Sequence, residues 1–197
     1  MTTQPLTPTG LAVDDDGRAR CGWGASAAEY IEYHDHEWGV PLHGDDALFE
    51  RLCLEAFQSG LSWLTILRKR PAFRRAFDDF RIERVAEFGE SDVARLLADA
   101  SIVRNRAKIA ASIQNARAAM ALDGSLDELL WSFAPSSRDR PASMADIVAV
   151  TPESTAMAKE LKRRAFTFIG PTTAYALMQA TGMVDDHLAG CWRAGAD

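Results

Sequence analysis

The chain has 197 residues, 47% hydrophobic and 25% charged, enough to bury a core as one domain or two small lobes. No apolar run approaches the ~20 residues a bilayer span needs, and Met1 to Asp16 lacks the basic start and apolar middle of a secretory leader. The expectation is a cytoplasmic protein without membrane association. The net charge of −6 excludes a uniformly basic nucleic-acid binder but not a local one, because phosphate is neutralised by clustered cations rather than by the global sum.

In chain order, residues 1–19 are rich in Thr, Pro, Gly and Asp without periodicity and read as a flexible tail ahead of one domain over residues 20–197. Ser26 to Glu29 reads as a capping box, followed by Tyr30, Ile31, Tyr33 and His34 on one face until Gly39-Val-Pro41. Asp45 and Asp46 predict the cap of a second helix that carries Leu48, Phe49, Leu52, Cys53 and Glu55 and stops at Gly60. A third helix starts near Ser62 and is expected to break at Pro71. Short amphipathic helices are predicted over residues 82–88 and 91–98, a longer one over 104–122 and another over 126–133. Ser136 to Arg140 reads as a surface loop, and a final helical pair covers residues 155–164 and 172–180. No stretch alternates like a strand, so the predicted fold class is all-α.

Cations cluster at Arg68, Lys69, Arg70, Arg74 and Arg75, at Arg104, Arg106 and Lys108, and at Lys159, Lys162, Arg163 and Arg164. Solvated helix faces explain such clusters as well as a nucleic-acid surface does. Three Cys in a reducing compartment point to metal ligation or buried thiols rather than disulfides. Cys21 and His34 come early, and His187 and Cys191 stand four apart near the end, a spacing that brings both side chains to one face of a helical turn. Two thiolates and two imidazoles make a tetrahedral set suited to zinc, closed and therefore structural. A buried Cys and a core His are the plain alternative. Cys53 reads as core packing, and His36 and His43 have no evident partner.

Trp23, Tyr30, Tyr33, Trp38 and Trp63 concentrate flat rings with polar edges in the first third of the chain. Such rings suit a nucleobase pocket, where stacking is worth roughly 1–3 kcal/mol per base, and equally suit a helical core. Glu55 beside them reads either as a carboxylate for a base edge or a developing sugar cation, or as an exposed surface residue. Phe168-Ile-Gly-Pro171 fits the turn of a helix-hairpin-helix, whose backbone N–H groups and following helix N-terminus hold a DNA phosphate. A tight turn between packed helices is the alternative.

Longer strings are more specific. Cys21-Gly-Trp23, Tyr33-His-Asp-His-Glu-Trp-Gly-Val-Pro41, Glu55-Ala-Phe-Gln-Ser-Gly-Leu-Ser-Trp63, Ile102-Val-Arg-Asn-Arg-Ala-Lys-Ile109 with Asn115, and Asp186-His-Leu-Ala-Gly-Cys191 resemble the DNA-3-methyladenine glycosylase I family, over Arg20 to about Arg193. The resemblance implies a helix-hairpin-helix glycosylase fold of two helical lobes with the active site between them. It implies a structural zinc on Cys21, His34, His187 and Cys191, joining the N- and C-terminal segments. It places the base pocket at Glu55, Tyr33 and Trp63, with Trp23, Tyr30 and Trp38 as further walls. Leu61 falls in the loop that enters the gap left by an extruded nucleotide, and Gly170 and Thr172 in the DNA-binding hairpin. Where the family most often carries Asn, this chain has Asp185. A second carboxylate that assists departure of the base is the hypothesis there, and an Asn-like structural role is the alternative.

The function so implied is hydrolysis of the N-glycosidic bond of N3-methyladenine in alkylated double-stranded DNA by base flipping, with free 3-methyladenine as product. No lysine stands out as a Schiff-base nucleophile, so no strand cleavage is expected, and a monomer is expected. The rivals are a zinc-stabilised binding module without chemistry, a hydrolase of free nucleosides, and a related glycosylase for another alkylpurine.

Overall fold

The computed structural model describes residues 6–136 and 139–195, so Ser137 and Arg138 of the expected surface loop lie outside the described residues. Among the described residues the chain is mostly helical, with nine α-helices, two 3-10 turns and one two-stranded ribbon, and no helix is long and apolar enough to cross a membrane. It forms two compact units. One is built from Met1–Pro41, Ala134–Ala149 and Met178–Asp197, the other from Leu42–Phe133 and Val150–Leu177.

The ribbon, in the first unit, departs from the all-α expectation and from the reading of everything before Arg20 as a tail. β1 (Leu11–Val13) pairs antiparallel with β2 (Ala19–Cys21), Leu11 facing Cys21. Strands of three residues are too short to show a period of two. The local signal is the Asp14-Asp-Asp-Gly17 turn, where Gly17 takes φ 76° and its N–H donates to the Asp14 carbonyl at 2.8 Å. Arg20, 2% exposed, locks the ribbon from within. Its guanidinium donates to Asp14, Asp16 and Asp35, each at 2.7 Å. A buried arginine is tolerable only when so paired, and three carboxylates meet that need.

In the same unit α1 spans Ala28–His36. Its N-cap is Ala27, without a side-chain cap; Ser26 instead donates its hydroxyl to the Trp23 carbonyl at 2.6 Å, so the expected capping box does not form.

The second unit holds α2 (Asp45–Gln58), α3 (Trp63–Ala76), α4 (Ile82–Ala86), α5 (Glu90–Ala98), α6 (Arg106–Met120), α7 (Leu126–Trp131), α8 (Pro152–Arg163) and most of α9 (Pro171–Ala180). Phe49, Phe57, Phe73, Phe77 and Phe80 are fully buried, with Phe57 and Phe73 4.6 Å apart and Phe77 and Phe80 stacked at 5.2 Å. This aromatic core explains why α3 runs through Pro71 instead of breaking there. A proline inside a helix costs on the order of 3 kcal/mol, and burial of Ile66, Leu67, Phe73 and Ala76 on the continuous helix offsets it at roughly 1.5–3 kcal/mol per large side chain. Asp45 and Asp46 do not cap α2, whose N-cap is Gly44; their carboxylates accept from the backbone N–H of Asp127 at 2.9 Å and of Ile82 at 2.8 Å. α8 begins three residues earlier than predicted because Thr151 caps it and Pro152 fills its first turn.

Candidate functional site

Cys21, His34, His187 and Cys191 meet inside the first unit, all buried, with their ligand atoms within 4.8 Å of one another. Cys191 Sγ lies 3.5 Å from His34 Nε2 and 3.6 Å from His187 Nδ1, and Cys21 Sγ lies 3.9 Å from His187 Nδ1. Zinc bonds to sulfur and nitrogen imply tetrahedral edges of about 3.3–3.8 Å; the donor types suit such an ion and the two Cys191 distances fall in that range, while the cluster is wider on the Cys21 side. His187 and Cys191 share a turn closed by Cys191 N–H donating to the Leu188 carbonyl at 2.7 Å, not the helical turn their spacing suggested.

Each imidazole is oriented from behind. His34 Nδ1 sits 2.8 Å from Asp35 Oδ1, which turns Nε2 to the cluster. His187 Nε2 sits 3.1 Å from the Trp38 carbonyl, which turns Nδ1 inward. Asp35 is held in turn by Arg20 and by Trp192 Nε1 at 3.2 Å, and the Leu188 N–H donates to Cys21 Sγ at 3.4 Å. Position 24 must be glycine, since a Cβ there would stand 2.6 Å from the His34 ring. Between the thiols the charge is unequal. The hydrogen bond from Cys21, helped by both histidines, pulls Cys191 far down, and the same bond together with burial pushes Cys21 up.

The structure gathers four predicted aromatics around this cluster. The Trp23 ring lies 4.9 Å from Trp38, 5.5 Å from Tyr30 and 6.3 Å from Tyr33, and Trp38 lies 4.7 Å from His187. Tyr33 and Trp38 are buried. Asp185 belongs to the same unit. Its carboxylate accepts from Arg140 Nε at 2.7 Å and from the backbone N–H of His187 and Gly195 at 3.1 and 3.3 Å, so both oxygens are engaged in the C-terminal segment.

Glu55 and Trp63 stand in the second unit. Glu55 is 5% exposed on the last turn of α2, which sets aside the surface alternative. Burial pushes its carboxyl up to about 7, against the pull of the Arg51 charge. The Arg51 guanidinium is 5.8 Å from the ring centre of Trp63, the buried first residue of α3. Between the two helices, Gly60 takes φ 80°, the Leu61 N–H donates to the Gln58 carbonyl at 2.6 Å, and the Leu61 side chain is 41% exposed.

The hairpin joins α8 to α9. Ala165 N–H donates to the Lys162 carbonyl at 3.1 Å and Phe166 N–H to the Leu161 carbonyl at 2.9 Å, a Schellman closure. The left-handed positions are Ala165 (φ 66°) and Phe168 (φ 63°) rather than Gly170. Gly170 and Thr172 are exposed, and the Gly170 carbonyl accepts from Ala174 N–H at 2.9 Å.

Several residues went unread in the sequence. Asp35 orients the His34 ring, yet it looked like one polar residue among several in Tyr33 to Glu37. His43, left without a partner, lies 2.9 Å from Asp127 and stacks on Trp131 at 4.5 Å. Lys108, grouped with exposed cations, is buried and donates to carbonyls.

A family model described as methyladenine glycosylase matches residues 23–194. The chain is 44% identical over 177 residues to DNA-3-methyladenine glycosylase 1 of Escherichia coli, covering 87% of this chain and 95% of that one. It is also similar to a solved 3-methyladenine DNA glycosylase I from Staphylococcus aureus, with 36% identity, a TM-score of 0.85 and coverage of 90% of this chain and 97% of that one. A further structure, a Tyr-to-Phe variant of 3-methyladenine DNA glycosylase I in complex with 3-methyladenine, matches at 35% identity and TM-score 0.85, covering 90% and 98%. With the helical fold, the buried Cys/His cluster and the buried Glu55 in place, the extent of these matches makes the chain a member of the methyladenine glycosylase family.

Proposed function

We propose that the protein excises N3-methyladenine from alkylated duplex DNA by hydrolysing its N-glycosidic bond, after extrusion of the nucleotide and without strand cleavage. The observation that carries this reading is a carboxylate, Glu55, buried on the helix that leads into Trp63, in a chain whose relatives are named for 3-methyladenine.

N3-methylation leaves adenine cationic, so the base departs with the electrons of the glycosidic bond as a neutral molecule. Strong general-acid help is unnecessary. Water adds to the sugar carbon and releases a proton to solvent. Extrusion costs a few kcal/mol, and selectivity then rests on the pocket. Trp63 stacks on the base, and ionised Glu55 pairs with its positive charge and accepts from its edge. Tyr33, Trp23, Tyr30 and Trp38 are assigned to base binding on the family likeness alone. A cationic base would itself favour the ionised form of Glu55. Leu61 fills the gap left by the nucleotide, and Gly170 and Thr172 of the helix-hairpin-helix hold a phosphate.

Cys21, His34, His187 and Cys191 would hold a zinc ion that ties the N- and C-terminal segments together and leaves no open position for water. For Asp185 the structural alternative is the better supported, because Arg140 and two backbone N–H groups already occupy its oxygens. The reading without strand cleavage rests on the sequence, in which no lysine stands out as a Schiff-base nucleophile. We read the enzyme as a cytoplasmic monomer.

The test is release of free bases from methylated duplex DNA, followed by chromatography, with wild type and Glu55→Gln side by side. Release of N3-methyladenine alone, slowed in Glu55→Gln, is the expected result. A zinc-loaded, folded wild type that releases no base overturns the reading and favours the binding-module rival. A β-elimination product overturns the claim of hydrolysis without strand cleavage.

A further inference from the structure

Outside the residues assigned so far, α6 carries two buried polar side chains whose partners are the backbones of two turns in the second unit. Lys108 is 7% exposed, and its Nζ donates to the carbonyls of Phe57 at 2.8 Å and Ser59 at 2.5 Å, where α2 ends. Asn115 is 1% exposed. Its Oδ1 accepts from Thr167 N–H at 2.7 Å and its Nδ2 donates to the Thr167 carbonyl at 3.1 Å. Its neighbour Gln114 donates to the Ala165 carbonyl at 3.2 Å. Lys108 and Asn115 are two helical turns apart on one face, about 10 Å along the axis.

Burying an ammonium or an amide is costly unless its hydrogen bonds are met. A core-filling role would be served better by Met or Leu. These two side chains instead meet orphan backbone groups. Lys108 caps the carbonyl end of α2, where a cation also suits the helix dipole, and Asn115 pairs with Thr167 as a strand would. Just beyond the held backbones stand two exposed apolar side chains, Leu61 at 41% and Phe168 at 45%. Ser59 and the hairpin residues from Phe166 to Pro171 line one open groove of about 860 Å³, together with Lys159 and Lys162.

We propose that Lys108 and Asn115 are positioning residues that make α6 a spacer between the Ser59–Leu61 turn and the hairpin, so that wedge and phosphate grip meet a DNA duplex in fixed register. The proposal rests on the reading of the chain as a DNA glycosylase. Wedge insertion must coincide with the grip, because unstacking is unfavourable on its own and small misplacements remote from the chemistry cost large factors in rate.

Three quantities test it: single-turnover excision from methylated duplex, affinity for a duplex bearing a tetrahydrofuran abasic analogue, and affinity for free 3-methyladenine by tryptophan fluorescence. Lys108→Met and Asn115→Ala are each expected to lower duplex affinity and excision at least tenfold while free-base affinity stays within twofold. Lys108→Arg should recover part of the loss. The Thr167 amide should exchange at least tenfold faster in Asn115→Ala. Duplex affinity within twofold of wild type in the folded variants overturns the proposal, as does an equal loss of free-base affinity, which marks general loss of structure. Should Lys108→Met not fold, Asn115→Ala decides by the same thresholds. A wild type that binds the abasic duplex but releases no base overturns the excision reading alone, and duplex affinity still decides the spacer.

Discussion

Glu55 shows how one burial changes what a residue is. In the sequence it follows Arg51 by one turn and suits a surface helix. In the structure it is 5% exposed and its carboxyl is pushed up to about 7. Between pH ~4.5 and ~7 the folded chain therefore binds a proton that the unfolded chain has released, and stability falls as pH rises through that window. Glu55→Gln avoids this penalty. It should match wild-type stability near pH 4 and exceed it by roughly 2–3 kcal/mol above pH 7, as urea unfolding at the two pH values would show; equal stabilities at both would contradict the buried carboxyl. Asp185 gives the opposite lesson. Its bonds to Arg140 Nε and two backbone N–H groups suit a structural acceptor, so Asp185→Asn should leave the single-turnover rate within about threefold while stability drops by about 1 kcal/mol. A hundredfold loss of rate would restore a catalytic role.

At the scale of elements, most helices were legible because their caps and apolar spacing are local. Ser62 caps α3, Asn105 caps α6, and Ser125 with Glu128 forms a capping box on α7. Three of the misses share one cause. Pro71, Asp45 and Asp46 carry local signals that tertiary partners override: a continuous aromatic core for the first, distant backbone N–H groups for the other two. In the hairpin the residue at the C′ position of α8 is Ala165, not Gly, at φ 66°. A left-handed Ala stores strain that Gly lacks, so Ala165→Gly should raise stability by about 0.5–1 kcal/mol in thermal melts without loss of excision. A lower melting temperature would mean that the methyl group packs usefully.

At the scale of the molecule, one unit collects three separate chain segments, and the Cys/His cluster draws on the first and the last of them. An ion bound only by the folded form stabilises it by mass action, about 4 kcal/mol at a thousandfold excess over its dissociation constant. Chelation should therefore lower the melting temperature. Hydrogen exchange should speed up first around His34 and residues 187–194, with α2 and α6 of the other unit still protected. Unchanged exchange after complete chelation would show that the cluster stands without metal.

The sequence by itself determined the helices, because 3.6-residue spacing and capping are written over a few neighbouring positions. It also determined the ligand and pocket candidates, since Cys21, His34, His187, Cys191 and Glu55 lie in strings too specific to arise from composition. Only the tertiary structure decided what those side chains face. That His34 turns Nε2 and His187 turns Nδ1 to the cluster depends on Asp35, Arg20 and the Trp38 carbonyl. That Lys108 is a buried cap rather than a surface cation depends on where α2 ends. Burial and hydrogen-bond partnership are set by residues far apart in the chain, and no local pattern encodes them.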